Sequence, residues 1–178
     1  MSHPSLDNEQ LKSLIRDVPD FPKPGIVFKD ITPLLQRPDS FAFTIDSLAQ
    51  ALSDKKIDLV LGIESRGFIL SPALSYKLGA GFVPIRKKGK LPWRTHEVAY
   101  SLEYGEATLE MHVDSIHPGV RVAIVDDLLA TGGTAEAAAS LVEGMGGVIE
   151  KMLFLVELTF LKGRDRLSKY DVFSLIQY

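Results

Sequence analysis

The 178-residue chain reads as an α/β fold, a mostly parallel central sheet flanked by helices. Three observations predict this. Short, largely apolar runs at 57–63, 81–85, 120–125 and 148–157 have the character of strands buried on both faces. Segments of helical length, at about 67–78 and 133–144, lie between them. The unusual polar motifs at 64–67, 86–90 and 126–134 each follow an apolar run directly, and open α/β sheets hold their ligands at the carboxyl ends of strands.

The elements follow in order. Leu6, Leu11, Leu14 and Ile15 predict an amphipathic helix over 6–17, stopped near Pro19. Pro19, Pro22, Pro24 and Gly25 predict an irregular stretch that includes F-P-K-P-G-I-V-F-K-D-I. A second helix is expected over 39–53, capped by Asp39 or Ser40. Strand and helix then alternate. The exception is 98–113, whose polar–apolar alternation around a glycine predicts an antiparallel ribbon. Gly146-Gly147 supplies the stop for the helix begun at 133. No repeat, low-complexity tract or linker interrupts 1–178, so one domain is expected.

Composition narrows the function classes. With 46% hydrophobic and 24% charged residues the chain can bury an ordinary core. A mean hydropathy of +0.10 is mildly apolar, as burial in an oligomer would explain. The absence of cysteine excludes disulfides and thiolate metal sites and fits a cytoplasmic location. His3, His96, His112 and His117 are scattered, without metal-site spacing. No apolar run approaches the ~18 residues of a membrane span, and the N-terminus lacks a secretory pattern, so no membrane partner is expected. A net charge of −3 argues against nucleic acid as a partner.

The most informative stretch is V-R-V-A-I-V-D-D-L-L-A-T-G-G-T, 120–134. An apolar strand delivers Asp126 and Asp127, and a turn of small residues then leads into a helix. Ala130, Thr131, Gly132, Gly133 and Thr134 carry little bulk, so their backbone N–H groups can converge on a phosphate. Two hydroxyls and the positive end of the helix dipole assist. The two carboxylates would repel that phosphate; they suit vicinal sugar hydroxyls, directly or through a divalent cation. Together these form a cradle for a phosphorylated sugar. A P-loop is excluded because no lysine follows the glycines, and T-G-G-T-A does not match G-x-G-x-x-G.

Three further motifs accompany it. Glu64-Ser65-Arg66-Gly67 opens another helix after a strand: either Arg66 offers a planar fork to a second anion, or it pairs locally with Glu64. Arg86-Lys87-Lys88-Gly89-Lys90-Leu91-Pro92-Trp93-Arg94 is a basic, irregular stretch, either a solvated loop or a mobile cover for an anionic site. Val27-Phe28-Lys29-Asp30 presents an aromatic face, either a hydrophobic plug or a stacking surface for a planar base.

The run D-D-L-L-A-T-G-G-T resembles the donor loop of the type I phosphoribosyltransferases, in particular the branch acting on adenine. E-S-R-G, Y-S-L-E-Y-G and V-E-L-T-F-L-K-G-R agree, so the resemblance covers roughly 20–178. It implies the type I phosphoribosyltransferase fold with an N-terminal hood (about 17–37, with a contribution near 158) and a flexible lid hairpin (about 86–112). The implied reaction is Mg²⁺-dependent transfer from phosphoribosyl pyrophosphate to adenine, giving AMP and pyrophosphate in a likewise implied homodimer. Mg²⁺ would be held mainly by substrate oxygens and water.

The resemblance also implies residue roles. Asp126 and Asp127 meet the ribose hydroxyls, and 130–134 grips the 5′-phosphate. Glu64, Ser65 and Arg66 form the pyrophosphate loop, in which one peptide bond is usually cis. Arg86, Lys87 and Lys90 neutralise the leaving group, and Arg86 or Lys90 reaches into the neighbouring subunit. Glu103 is the general acid/base with Tyr104 beside it, and Glu97 is a rival carboxylate outside the motif. Phe28 stacks on the base, the Val27 backbone reads its edge, and Leu158 forms the opposite wall. Lys29 stands where the family often has arginine, which would lose a bidentate contact. A 6-oxopurine substrate, or a sensor of phosphoribosyl pyrophosphate without catalysis, are the alternatives.

Overall fold

The structure is a computed structural model, which describes residues 6–101 and 106–178. Its centre is a seven-stranded sheet. The strands are β3 (Leu59–Ile63), β4 (Gly81–Lys87), β5 (Thr95–Ser101), β6 (Glu106–His112), β7 (Arg121–Leu129), β8 (Val148–Glu157) and β9 (Val172–Gln177). Their spatial order is β5-β6-β4-β3-β7-β8-β9. From β4 to β9 the pairing is parallel, and the β5–β6 ribbon joins the β4 edge antiparallel.

The helices α4 (Gly67–Leu78) and α5 (Gly133–Gly144) connect parallel strands, as their apolar patterns require. Alternate strand residues pack to opposite faces. Val122, Ile124, Met152 and Phe154 face the layer containing α5, while Ala123, Val125, Leu153 and Leu155 face the layer containing α4 and α3 (Pro38–Gln50). Burial on both sides explains why these strands appear as continuous apolar runs.

The N-terminal region departs from expectation in three places. The first helix, α1 (Asn8–Ser13), is shorter than 6–17; the Asp7 side chain accepts the Gln10 N–H at its start. The stretch expected to be irregular instead contains an antiparallel hairpin, β1 (Arg16–Pro19) with β2 (Val27–Asp30), registered Val18 to Phe28. Its prolines sit at the strand end and in the connection, where no ladder N–H is needed. The short α2 (Thr32–Leu35) follows, and α3 begins at Pro38 without a side-chain cap, so neither Asp39 nor Ser40 plays that part.

The strand expected at 120–125 is also longer. β7 runs to Leu129 because β8 continues beside it, pairing Asp126 with Phe154 and Leu129 with Glu157. The two aspartates therefore sit on a sheet strand. This fixes their backbones more firmly than a loop would. A 3₁₀ turn (Thr159–Leu161), α6 (Gly163–Arg166) and β9 complete the chain.

The chain leaves β3 towards β4 on one side, and later places β7 on the other. The carboxyl ends of β3 and β7 thus flank a topological switch point, where α/β sheets open a crevice.

Candidate active site

Two loops face each other across that crevice. Glu64–Gly67 leaves β3, and Ala130–Thr134 leaves β7. Gly67 lets the first loop pack closely on β7, since a Cβ there would lie 2.9 Å from the Val125 carbonyl and 3.0 Å from Asp126 Oδ1. The Glu64–Ser65 peptide is cis, as the motif implied. A cavity of about 440 Å³ lies between, lined among others by Ser65, Arg66, Lys87, Asp127 and Thr134. A smaller recess of about 80 Å³ is formed by the Ala130–Thr134 turn itself. Gly132 is left-handed at φ +85°, and α5 starts without a side-chain cap, leaving its first N–H groups for a ligand.

Of the two pairings open to Arg66, the one with Glu64 is not made. Arg66 Nε lies 2.8 Å from Asp127 Oδ2, a charge contact outside hydrogen-bond alignment, and its guanidinium covers the Phe28 ring at 4.7 Å. Glu64 is held by Arg86 instead, at 3.1 and 3.2 Å, and also accepts the Lys87 N–H. Burial would raise the Glu64 carboxyl, but Arg86 and the Lys87 N–H outweigh it and hold it below the ordinary range. The Arg86 side chain also donates to the Lys90 carbonyl, within the basic turn.

The acid pair behaves differently. Burial, then repulsion from Asp127, pushes the Asp126 carboxyl well above the ordinary range. Burial also raises Asp127, against the opposing charge of Arg66. The Asp127 N–H donates to Asp126 Oδ1, and Asp127 Oδ2 has no hydrogen bond. Such a pair is poised for sugar hydroxyls or a hard cation.

The basic stretch is a tied turn. Glu110, 3% exposed, accepts the N–H groups of Lys90 and Leu91 at 2.8 and 2.7 Å, and Lys88 pairs with Glu97. Phe28 is half-buried with Phe21 edge-on at 5.2 Å, and Val27 is exposed. Lys29 bonds Asp17 at 2.6 Å and lies over the Tyr178 ring at 3.8 Å, which pins the hairpin to the end of the chain. Leu158 is buried, its N–H bonded to the Leu129 carbonyl beside the 130–134 turn. Glu103 and Tyr104 lie outside the described residues.

Sequence reasoning missed Tyr100, which lines the cavity with its hydroxyl 3.4 Å from that of Thr134. It also missed Glu110, whose position opposite Arg86 on β6 only the ribbon register reveals.

Comparison with known proteins fits this arrangement. The family profile of the phosphoribosyl transferase domain matches residues 34–176, and the chain belongs to that family. The chain is 61% identical to the adenine phosphoribosyltransferase of Acidobacterium capsulatum, over 98% of this chain and 96% of that one. The crystal structure of the enzyme of that name from Thermoanaerobacter pseudethanolicus superposes with a TM-score of 0.94 at 53% identity, covering 96% and 99% of the two chains. The Saccharomyces cerevisiae enzyme, solved with an imino-altritol bisphosphate and adenine, gives 0.90 at 42% identity, covering 95% and 98%. Within the family the chain belongs to the adenine phosphoribosyltransferases, enzymes of purine salvage.

Proposed function

We propose that the chain joins N9 of adenine to C1 of phosphoribosyl pyrophosphate, releasing pyrophosphate and forming AMP, with Mg²⁺ as cofactor. The carrying observation is the pair of anion-receptive loops in one crevice, joined by Arg66 and Asp127. A donor with a phosphate at one end and a diphosphate at the other matches two such loops.

The 5′-phosphate sits in the Ala130–Thr134 turn, and the ribose hydroxyls meet Asp126 and Asp127. Their negative charge favours the oxocarbenium-like ring that forms as the C1–O bond breaks. Ser65, Arg66, Lys87 and Lys90 receive the departing pyrophosphate, while Arg86 holds Glu64 and the basic turn in place. Adenine stacks on Phe28 in the hood, with the Val27 backbone at its edge, Leu158 opposite and Lys29 holding the hairpin. As N9 attacks, its proton passes to Glu103, in the segment joining β5 and β6, with Tyr104 beside it. These groups mainly position the reactants, and orientation supplies much of the acceleration.

The Asp126–Asp127 carboxylates line the cavity with hard oxygen donors of the kind a divalent cation takes. Mg²⁺, held mainly by substrate oxygens and water beside them, would add positive charge to the leaving group. A homodimer is supported by large apolar side chains left exposed, Ile69 and Tyr76 on α4 and Phe82 on β4. Among the described residues no helix is long and apolar enough to cross a membrane. The lack of cysteine and the small-molecule substrates support a cytoplasmic location, without nucleic-acid or membrane partners.

The test is to mix the chain with adenine, phosphoribosyl pyrophosphate and MgCl₂, and follow both products. Equal amounts of AMP and pyrophosphate, abolished by EDTA and restored by excess Mg²⁺, are expected. Binding of both substrates without either product would overturn the proposal.

A further inference from the structure

The phosphate turn rests on a segment far along the chain. Gly163, the first residue of α6, sits against it so closely that a Cβ there would lie 2.2 Å from the Ala130 carbonyl oxygen and 3.0 Å from Gly132 N. The contact is reciprocal: a Cβ on Gly132 would lie 2.6 Å from the Gly163 carbonyl oxygen. These are backbone atoms, which cannot swing aside as the tip of a side chain can.

What this does to the turn follows from peptide geometry. The Ala130–Thr131 peptide is not among the cis bonds, so its carbonyl and its N–H point in opposite directions. With the Ala130 carbonyl turned against Gly163, the Thr131 N–H points away from Gly163.

Gly163 is itself firmly anchored. The next residue, Arg164, donates Nε and Nη2 to the two carboxylate oxygens of Glu157 at 3.0 and 2.5 Å, and Nη1 to the Val172 carbonyl at 2.7 Å. Glu157 is 3% exposed at the end of β8, beside the last residue of β7. Burial would raise its carboxyl, but Arg164 and Ser174 hold it below the ordinary range, so the anchor stays charged.

We infer that Gly163, fixed by the Glu157–Arg164 pair, is a positioning residue for the donor's 5′-phosphate: it keeps the Ala130–Thr131 peptide facing rearward so that the Thr131 N–H donates to a phosphate oxygen. It acts through the turn and does not touch the substrate. The inference rests on the assignment of 130–134 to the 5′-phosphate. It separates the two ends of the donor, because the atoms that a Cβ at Gly163 would meet first belong to Ala130 and Gly132 of the 130–134 turn.

The test uses ribose 5-phosphate and pyrophosphate as separate probes by titration calorimetry, on the wild-type chain and Gly163→Ala. The variant is expected to bind ribose 5-phosphate at least ~10-fold more weakly, the order of one lost charge-assisted hydrogen bond, and pyrophosphate within ~2-fold of wild type. In turnover, KM for phosphoribosyl pyrophosphate rises with the same factor while kcat at saturation changes little. Equal loss at both ends, or none at the phosphate end, overturns the inference and leaves the functional assignment standing. Failure of the wild-type chain to bind ribose 5-phosphate overturns both. Should Gly163→Ala not fold, the wild-type protein still decides: its Thr131 amide proton resonance shifts downfield on titration with ribose 5-phosphate, and an unmoved resonance at saturation contradicts the inference.

Discussion

Arg66 Nε stands 2.8 Å from Asp127 Oδ2, so the loop after β3 and the strand β7 meet through opposite charges in the middle of the crevice. The same guanidinium covers Phe28, which places one cation between the proposed pyrophosphate, ribose and base positions. Arg66→Gln is expected to raise KM for phosphoribosyl pyrophosphate by ~10- to 100-fold, the scale of a lost charge-assisted contact. Arg66 also opposes the upward shift of Asp127, so its removal raises that carboxyl further. The acid limb of kcat/KM should therefore move to higher pH. A pH profile with an unchanged acid limb and unchanged KM would contradict this role.

Glu103 is assigned from the Y-S-L-E-Y-G motif. Replacing it with Gln removes the proton acceptor while nearly preserving shape. Single-turnover mixing should show the chemical step slowed by ~10²-fold or more, with donor binding intact. A wild-type single-turnover rate would refute the assignment.

The raised carboxyl of Asp126 carries a stability consequence with a definite sign. A group whose folded pKa lies above its unfolded value destabilises the fold at high pH, and the cost fades as pH falls to the unfolded value of about 3.9. Asp126→Asn should thus raise Tm at pH 8 while weakening activity, and the Tm difference should shrink towards pH 4. A thermal melt series with a difference independent of pH would count against it.

How much of this was legible in the sequence depends on whether the cause is local. β3, β7 and β8 showed themselves because each is buried on two faces, and the 130–134 turn because small residues before a helix serve few other purposes. The β1–β2 hairpin was hidden by its prolines, which occupy positions that need no ladder bond. The last residues of β7 were hidden because two aspartates look like a strand end, and only β8 alongside keeps them extended. Sequence proximity offered Glu64 as the local partner for Arg66. The sheet instead brings Arg86 at the end of β4 next to Glu64 and leaves Arg66 to Asp127. Gly163 and Glu110 act across long sequence separations, with no local pattern to mark them.

Glu110 provides a separate check on the basic turn. Burial would raise its carboxyl, but N–H groups of Leu91, Gly89 and Lys90 and the Thr95 side chain hold it below the ordinary range. Glu110→Ala takes the side-chain acceptor from the Leu91 N–H and one of two acceptors from the Lys90 N–H, and should cost about 1 kcal/mol. Because the folded pKa is depressed, the contribution is present above the unfolded value of about 4.3 and is lost as pH falls through the folded one. The variant should also show a raised KM for phosphoribosyl pyrophosphate, as Lys87 and Lys90 lose their fixed positions. Denaturant melts at pH 7 with unaltered midpoint would show that the turn does not depend on Glu110.

The most direct test is pyrophosphate release from phosphoribosyl pyrophosphate and Mg²⁺, with adenine, guanine, hypoxanthine, xanthine and orotate offered separately. Release with adenine alone, matched by AMP, is the predicted result. Release with a 6-oxopurine in place of adenine would contradict the base pocket built on Phe28, Val27 and Leu158, and no release with any base would contradict transfer itself.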